Sequence, residues 1–437
     1  MSSLSHRFVV LFFFSLAIAA TLSLFQFYEF VAADNTTSTL QTGWSLVSFS
    51  FENMSGYTTT STSTSTTTST STSSTSTTST TPTWHDALRV DTVNGSRPAL
   101  AYSPAGKLWV FYNKDEGGDD EPLVVRIRNG SGSNFTDEVE IESVQEVRKP
   151  SATFISEDEV WVSAESWIAV WAYETNDSGS DWDRVEGFSA SNYLPVYAGS
   201  AMTIDEDDFH LFYTYSNTGV WTAEYLYRGY RINGTWDDSG TYIGHPSDDV
   251  VGAFESGDEI CVAAGRLFRS DDDGDSFTQI NNDLGIPDVL NSITGADQGD
   301  DGIIYVIRTY SYGAGPIDQH LRIHNSSDYG ATWSVLATFD DEDYFYLPKI
   351  AVSGDTIGAL WGRRDLDDLI NLSARFSFDG GATWTEEETV VSAPEGFTLG
   401  RNYFEEFKID SHNNTFTIIY EHANGSTPEG VYIKEYY

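Results

Sequence analysis

Ser270-Asp-Asp272-Asp-Gly274-Asp-Ser276-Phe277, Ser326-Ser-Asp328-Tyr-Gly330-Ala-Thr332-Trp333 and Ser377-Phe-Asp379-Gly-Gly381-Ala-Thr383-Trp384 are three copies of one pattern, Ser-x-Asp-x-Gly-x-(Ser/Thr)-aromatic. They start 56 and 51 residues apart. A pattern recurring at that interval marks a chain built from repeated supersecondary units. Its residues have turn chemistry. Glycine reaches positive φ, the aspartate and hydroxyls accept hydrogen bonds from the amides of a tight turn, and the closing aromatic is placed to pack beneath it.

Around these copies, β-branched and aromatic residues alternate with polar ones, the two-residue period of strands. First strands of successive units begin near Pro98, Pro150, Ala198, Val250, Ser292, Pro348 and Glu406. Second strands follow at Leu108–Tyr112, Val160–Ser163, Phe209–Tyr213, Ile260–Ala263, Ile304–Ile307, Ile357–Trp361 and Phe416–Tyr420. Units of roughly fifty residues suit the blades of a β-propeller. Weakened copies of the turn fall where this frame expects them: Thr175-Asn-Asp177-Ser-Gly179-Ser-Asp-Trp182, Gly130–Phe135 and Asn233–Trp236. The seventh unit ends at Tyr437 without a fourth strand. Ala87–Val93, ahead of the first unit, is the segment to supply it, which would pair the chain ends and hide an edge. The expected fold is all-β, a seven-bladed propeller over residues 84–437, with six blades as the alternative if weaker units merge.

The pattern resembles the Asp-box, or BNR repeat, of the sialidase superfamily, whose members have six blades. In that family the boxes lie away from the catalytic centre, so the resemblance gives Asp272, Asp328 and Asp379 a structural role. It further implies an arginine triad gripping a substrate carboxylate, a Tyr–Glu nucleophile pair and an Asp acid/base. The family's first arginine usually sits in an Arg-Ile-Pro context, whereas Arg97 directly precedes Pro98. Side chains alternate along a strand, so the missing residue is expected to turn Arg97 from the centre. Asp115, after the second strand, is the acid/base candidate; Tyr310 and Tyr420-Glu421 are the nucleophile candidates. The resemblance spans residues 97–437 as architecture and carries the chemistry poorly.

The 437 residues include 66 acidic and 23 basic ones, for a formal charge of −43. Such acidity suits high salt, where surface repulsion is screened, as well as an ordinary acidic surface. It argues against nucleic acid as a partner, because phosphate binding needs a basic footprint. Cys261 stands alone in an apolar run, so no intramolecular disulfide is possible and a buried structural thiol is expected. No metal or cofactor is expected. The eight histidines show no ligand spacing, and His320 and His324 read as a surface pair. Asp271–Asp275 and Asp297–Gly302 lack the glycine or closing glutamate of a calcium loop and read as turns, leaving Asp119, Asp120 and Asp271–Asp273 as loose surface cation binders at most.

Arg7 precedes the apolar stretch Phe8–Phe25, and Val31-Ala32-Ala33 offers a cleavage site, so residues 1–33 read as an export signal or a retained membrane anchor. Residues 34–83 are expected to be disordered and carry an unbroken Ser/Thr tract from 58 to 81, an extended and O-glycosylated stalk. Asn-x-Ser/Thr acceptor sites occur at Asn35, Asn53, Asn94, Asn129, Asn134, Asn176, Asn233, Asn325, Asn371, Asn413 and Asn424, many in expected turns of an extracellular or cell-surface protein.

In a propeller, the loops joining second to third strands and those joining blades share one end. That end is expected to gather Arg97, Arg148, Lys149, Arg308, Arg363, Arg364 and Arg401 with Trp167, Tyr193, Tyr215, Tyr310, Tyr312, Tyr344, Tyr346 and Tyr403. Guanidinium forks pair with carboxylates and aromatic rings stack on sugars, a composition for an anionic glycan. The other account of these arginines is a screened network with neighbours such as Asp365 and Asp368. Arg126, Arg322 and Arg375 recur on third strands and look structural. The sequence therefore points to a tethered binding propeller for an anionic glycan or a cell-surface protein. The alternatives are a sialidase-type glycoside hydrolase and a structural surface component.

Overall fold

The computed structural model describes residues 82–437 apart from 93–94, 115–120, 131–133, 144–146, 167–168, 189–199, 206–207, 216–224, 233–234, 247–249, 257, 281–291, 312–318, 341–343, 365–369, 393–406 and 425–426. The expected signal and stalk lie outside the described residues, as do Asp115, Asp119, Asp120, Trp167, Tyr193, Tyr312, Arg401, Tyr403, Asn35, Asn53, Asn94 and Asn233.

The described strands form seven four-stranded antiparallel sheets. Blade 1 comprises β2 (Gly95–Tyr102), β3 (Lys107–Lys114), β4 (Leu123–Asn129) and β5 (Val139–Glu142). Blade 2 comprises β6 (Val147–Phe154), β7 (Val160–Ser166), β8 (Val170–Thr175) and β9 (Asp183–Phe188); blade 3, β10 (Ser200–Asp205), β11 (Asp208–Tyr215), β12 (Tyr225–Ile232) and β13 (Thr235–Gly244). Blade 4 comprises β14 (Val250–Ser256), β15 (Glu259–Ala264), β16 (Arg266–Ser270) and β17 (Thr278–Ile280); blade 5, β18 (Ser292–Gln298), β19 (Ile304–Ser311), β20 (Gln319–Ser326) and β21 (Ser334–Asp340). Blade 6 comprises β22 (Tyr344–Ser353), β23 (Thr356–Arg364), β24 (Ile370–Ser377) and β25 (Glu388–Val391). Blade 7 takes β26 (Phe407–His412), β27 (Thr415–Asn424) and β28 (Thr427–Tyr436) from the C-terminus and β1 (Leu88–Arg89) from the N-terminal side. First strands touch in the cyclic order β2, β6, β10, β14, β18, β22, β26 and back to β2, which places them around the axis.

Each expected second strand lies inside one of β3, β7, β11, β15, β19, β23 and β27, and these strands are rich in buried apolar side chains on both faces. Both faces are needed because each sheet packs against two neighbours. Seven apolar clusters result, one per blade interface. The cluster between blades 6 and 7 holds Leu360, Phe376, Phe416 and Tyr420. The one between blades 7 and 1 holds Val90, Val110, Ile419 and Ile433. Seven interfaces settle the blade number against the six-bladed alternative. Cys261 is buried in the cluster between blades 4 and 5, and burial pushes its thiol up to about 12.

The three octapeptide turns share one hydrogen-bond pattern. In blade 5 the Ser326 hydroxyl donates to Asp328 Oδ1 at 2.8 Å and accepts the Gly330 amide at 2.8 Å. Asp328 then accepts the Thr332 amide at 2.8 Å and hydroxyl at 2.6 Å. Asp272 and Asp379 repeat this in blades 4 and 6. The weakened copy in blade 2 keeps most of it through Thr175, Asp177 and Gly179. Gly274, Gly330 and Gly381 all have positive φ. The closing aromatics Trp182, Phe277, Trp333 and Trp384 each pack on the interface with the preceding blade.

Ring closure follows the expected route. Leu88 pairs with Ile433 and Arg89 with Tyr432. Further toward the N-terminus, Trp84 bridges to Tyr436 and the Thr83 amide donates to the Tyr437 carbonyl. Trp84 packs on Phe376 and Tyr436 at ring separations of 5.7 and 5.0 Å. It holds, for blade 7, the place that the closing aromatics hold elsewhere. The chain ends therefore meet inside what would be the third-to-fourth-strand turn of blade 7.

Some expectations need correction. His324 is no surface residue: it is 1% exposed between blades, and burial, then Arg308 and Arg322, lower it to about 3. Its expected partner His320 binds Asp340 and stacks on Tyr310. Asp297 and Gln298 end β18 rather than starting a turn. Among the acceptor sites, Asn134, Asn176 and Asn413 lie in loops or turns, but Asn129, Asn325, Asn371 and Asn424 lie within strands, the middle two half-buried.

Candidate functional site

Antiparallel blades place the starts of first and third strands, and the ends of second and fourth strands, at one end of the axis. We call this end the mouth; the octapeptide turns are at the other. At the mouth, the first strands of blades 1, 2 and 6 carry a bulge, with register shifts between Ser96 and Ala99, Arg148 and Ser151, and Tyr346 and Lys349. At each bulge the residue before a proline is left-handed: Arg97 at φ 51°, Lys149 at 48° and Leu347 at 41°. A following proline favours β or polyproline conformations, and left-handed non-glycine residues are uncommon, so the surrounding contacts hold these three in place.

Those contacts involve carboxylates and ammonium groups. The Arg97 amide donates to Glu421 Oε2 at 3.2 Å, and Arg97 Nη1 meets Glu121 Oε2 at 2.7 Å. Asn113, buried behind this pair, donates to the Glu121 carbonyl. Lys408 Nζ donates to the Pro150 carbonyl beside Lys149, and Lys349 Nζ to the Thr294 carbonyl on the neighbouring blade. Three of the six lysines in the chain therefore lie on first strands at the mouth. The missing residue before Pro98 thus has a structural counterpart: the bulge interrupts the strand's alternation and turns the Arg97 side chain toward Glu121 while its amide meets Glu421.

The structure brings Arg97 and Glu421 together, but among the described residues it does not assemble the other sequence candidates around them; Asp115, Arg401 and Tyr403 lie outside those residues. Tyr420 and Glu421 are strand neighbours and face opposite sides. Tyr420 is buried in the cluster between blades 6 and 7 and stacks on Tyr432 at 6.0 Å. Burial, followed by Tyr432, pushes its hydroxyl to about 12, so it holds its proton at neutral pH. Tyr310 is buried, accepts a hydrogen bond from Arg322 Nη2 at 2.8 Å and lies beneath that guanidinium. Arg308 is 5% exposed and pairs across strands with Arg322; burial and then Arg322 bring it down to about 10. Arg363 meets Glu387 at 2.8 Å, an ion pair with an acid of its own blade; Asp365 and Asp368 lie outside the described residues. Tyr346 is half-buried in the β22 bulge. Arg148, Tyr215, Tyr344 and Arg364 lie at the mouth ends of their strands.

Two further carboxylates stand out in the structure, Asp297, which the sequence reading takes only as part of a turn, and Asp410, which it does not single out. Asp297 in blade 5 and Asp410 in blade 7 hold equivalent positions on first strands. Asp297 Oδ2 accepts the Val352 amide of blade 6 at 2.7 Å, and Asp410 Oδ2 accepts the Tyr102 amide of blade 1 at 2.8 Å. Each also accepts the amide of the residue after it. Both residues are half-buried, and the burial of their carboxyl groups governs their proton affinity. Burial, then the neighbouring Asp410, raises Asp297 to about 8; burial raises Asp410 to about 6. The sequence reading places Asp297 in a turn, and Asp410 carries no signal beyond being an aspartate on a first strand.

The fold is that of a seven-bladed β-propeller. No family model matches the chain, and no curated protein is similar to it. Among solved structures it is similar to a protein of unknown function from Dyadobacter fermentans, at 12% identity over 81% of this chain and 98% of that one, with a TM-score of 0.47. It is likewise similar to an alpha-L-arabinanase of Penicillium chrysogenum, at 11% identity over 81% and 98%, TM-score 0.48. A third is an alpha-L-arabinofuranosidase of Fusarium graminearum, at 9% identity over 80% and 97%, TM-score 0.47.

Proposed function

We propose that this is an exported, surface-tethered binding propeller whose mouth takes an anionic glycan. The observation that carries the reading is the placement of Arg97 and Lys149. They occupy the same left-handed bulge position on adjacent first strands, in a chain with 23 basic residues and a charge of −43. A carboxylate or sulfate at the mouth of blades 1 and 2 would meet both cations, with Lys408 close behind Lys149. The acidic remainder of the surface would repel anions elsewhere and confine binding to this point. Export and tethering rest on residues 1–83 alone.

The test is a glycan array carrying uronate, sialate and sulfated glycans beside neutral ones, probed with the wild type and with Arg97→Ala and Lys149→Ala. Binding restricted to anionic glycans and weakened at least about tenfold in each variant is expected. Equal binding by the wild type and both variants would overturn the reading. The contact between Arg97 and Glu421 favours one second reading, glycoside hydrolysis with Glu421 as a reacting carboxylate. Release of a fluorogenic sialoside by the wild type and its loss in Glu421→Gln would establish that instead.

A further inference from the structure

At the turn end, away from the mouth, blades 3 and 4 bring together three side chains that the sequence keeps apart. His210 comes from the start of β11, Glu255 from the end of β14, and Asp273 from the octapeptide turn of blade 4. Their donor atoms lie within 4.8 Å of one another. His210 is 3% exposed, and its Nδ1 has no hydrogen-bond partner among the described residues. Its Nε2 stands 3.6 Å from Asp273 Oδ1 and 3.9 Å from Glu255 Oε1. Both separations are too long for hydrogen bonds. They are close to what two ligands of one ion show, since bonds of about 2.0–2.2 Å in tetrahedral array put ligand atoms roughly 3.4 Å apart.

We propose that His210, Glu255 and Asp273 bind a divalent first-row transition ion that staples blade 3 to blade 4. One imidazole and two carboxylates suit zinc and its neighbours; calcium and magnesium prefer all-oxygen sites. The turn packs closely on the cluster. Asp273 is left-handed at φ 54°, as Ser178 and Tyr329 are at the same position of other turns, and a Cβ on Gly274 would stand 3.3 Å from the His210 ring and 1.9 Å from Arg228 Nη1. Arg228 Nη1 donates to the Asp273 carbonyl at 3.0 Å and orients the turn. With Arg228 counted, the site still carries one net negative charge. The Asp273 side chain is 53% exposed, which leaves an open side for water to complete the coordination and for the ion to enter. A chain with a single cysteine has no disulfide to hold its blades together, and an ion at this seam would do so.

The experiment uses the chelator-stripped full chain, titrated calorimetrically with Zn2+ in about 10 mM Ca2+, so that the acidic surface is already occupied. Thermal melts and the absorption spectrum of the Co2+-loaded protein accompany it. One equivalent of Zn2+ per chain, a higher Tm and Co2+ bands of a four- or five-coordinate site are expected. Asp273→Asn should weaken Zn2+ binding about tenfold or more, and His210→Gln should abolish it. Should His210→Gln fail to fold, Asp273→Asn decides, because its side chain is half exposed and its loss leaves the core intact. Zn2+ uptake that Ca2+ displaces, or that is unchanged in folded Asp273→Asn, would overturn the proposal.

Discussion

Replacing Asp410 by asparagine tests whether first-strand carboxylates are buried at a cost. Asp410 lies on β26 and ties blade 7 to blade 1 through the Tyr102 amide, with a second bond from the Ser411 amide at 2.7 Å. Burial raises it from 3.8 to about 6. At about 1.4 kcal/mol for each tenfold change in proton affinity, this is roughly 3 kcal/mol. The sign follows from the direction. A carboxyl whose folded value is raised stabilises the fold while protonated, fully so below the unfolded value, and the contribution is lost as pH climbs from about 4 through about 6. Asparagine keeps the shape and one acceptor oxygen, has no charge to bury, and does not titrate. The variant gives up one charge-assisted bond, a loss of about 1.5–3 kcal/mol, so at pH 8 the two proteins should be of similar stability. At pH 4 the wild type should be ahead by about 3 kcal/mol. Urea unfolding of both proteins between pH 4 and 8, in about 0.5 M salt to screen the surface, gives this difference directly. General repulsion from the other acidic groups is nearly common to both and largely cancels. A stability difference that does not change with pH, or that changes in the opposite sense, would refute the reasoning.

Asp379→Ala should lower Tm at pH 7. The Thr383 hydroxyl and amide, with Ser377, hold Asp379 below the usual aspartate range, so its contribution is present at neutral pH and fades in acid; scanning calorimetry should show the gap closing as pH falls below about 4. Trp84→Ala removes the half-buried ring that closes blade 7 and should cost on the order of 2 kcal/mol in chemical denaturation, less than a fully buried tryptophan would. Gly354→Ala and Gly274→Ala are both at positive φ, but only Gly274 is crowded; the first should cost about 1 kcal/mol and the second clearly more, because Arg228 must leave the turn.

The strand ring was legible because each blade has to bury both faces of its second strand, and that demand writes itself into short local runs such as Leu108–Tyr112 and Ile304–Ile307. The turns were legible for the same reason: Ser, Asp, Gly and the aromatic all act within eight residues. Closure by Leu88 and Arg89 could be read only by noting what the seventh unit lacked. The sites are different in kind. Arg97 meets a glutamate 324 positions away, and a bulge overrides the alternation from which its direction was judged. His210, Glu255 and Asp273 come from three strands and turns of two blades, so no spacing announces them. His324 failed as a surface residue because a two-residue period says which face a side chain takes and not whether another blade covers it.

The meeting of the chain ends also fixes how the domain would bear load. The Thr83 amide meets the Tyr437 carbonyl, the His85 amide meets the Glu435 carbonyl and the Val90 amide meets the Val431 carbonyl, a ladder running from the turn end toward the mouth. Residue 82 therefore stands at the end opposite the mouth. Drag on a ligand at the mouth, resisted from residue 82, would pull β1 lengthwise along β28. The ladder bonds would then have to break together rather than peel one at a time, so the closing seam would meet tension in shear.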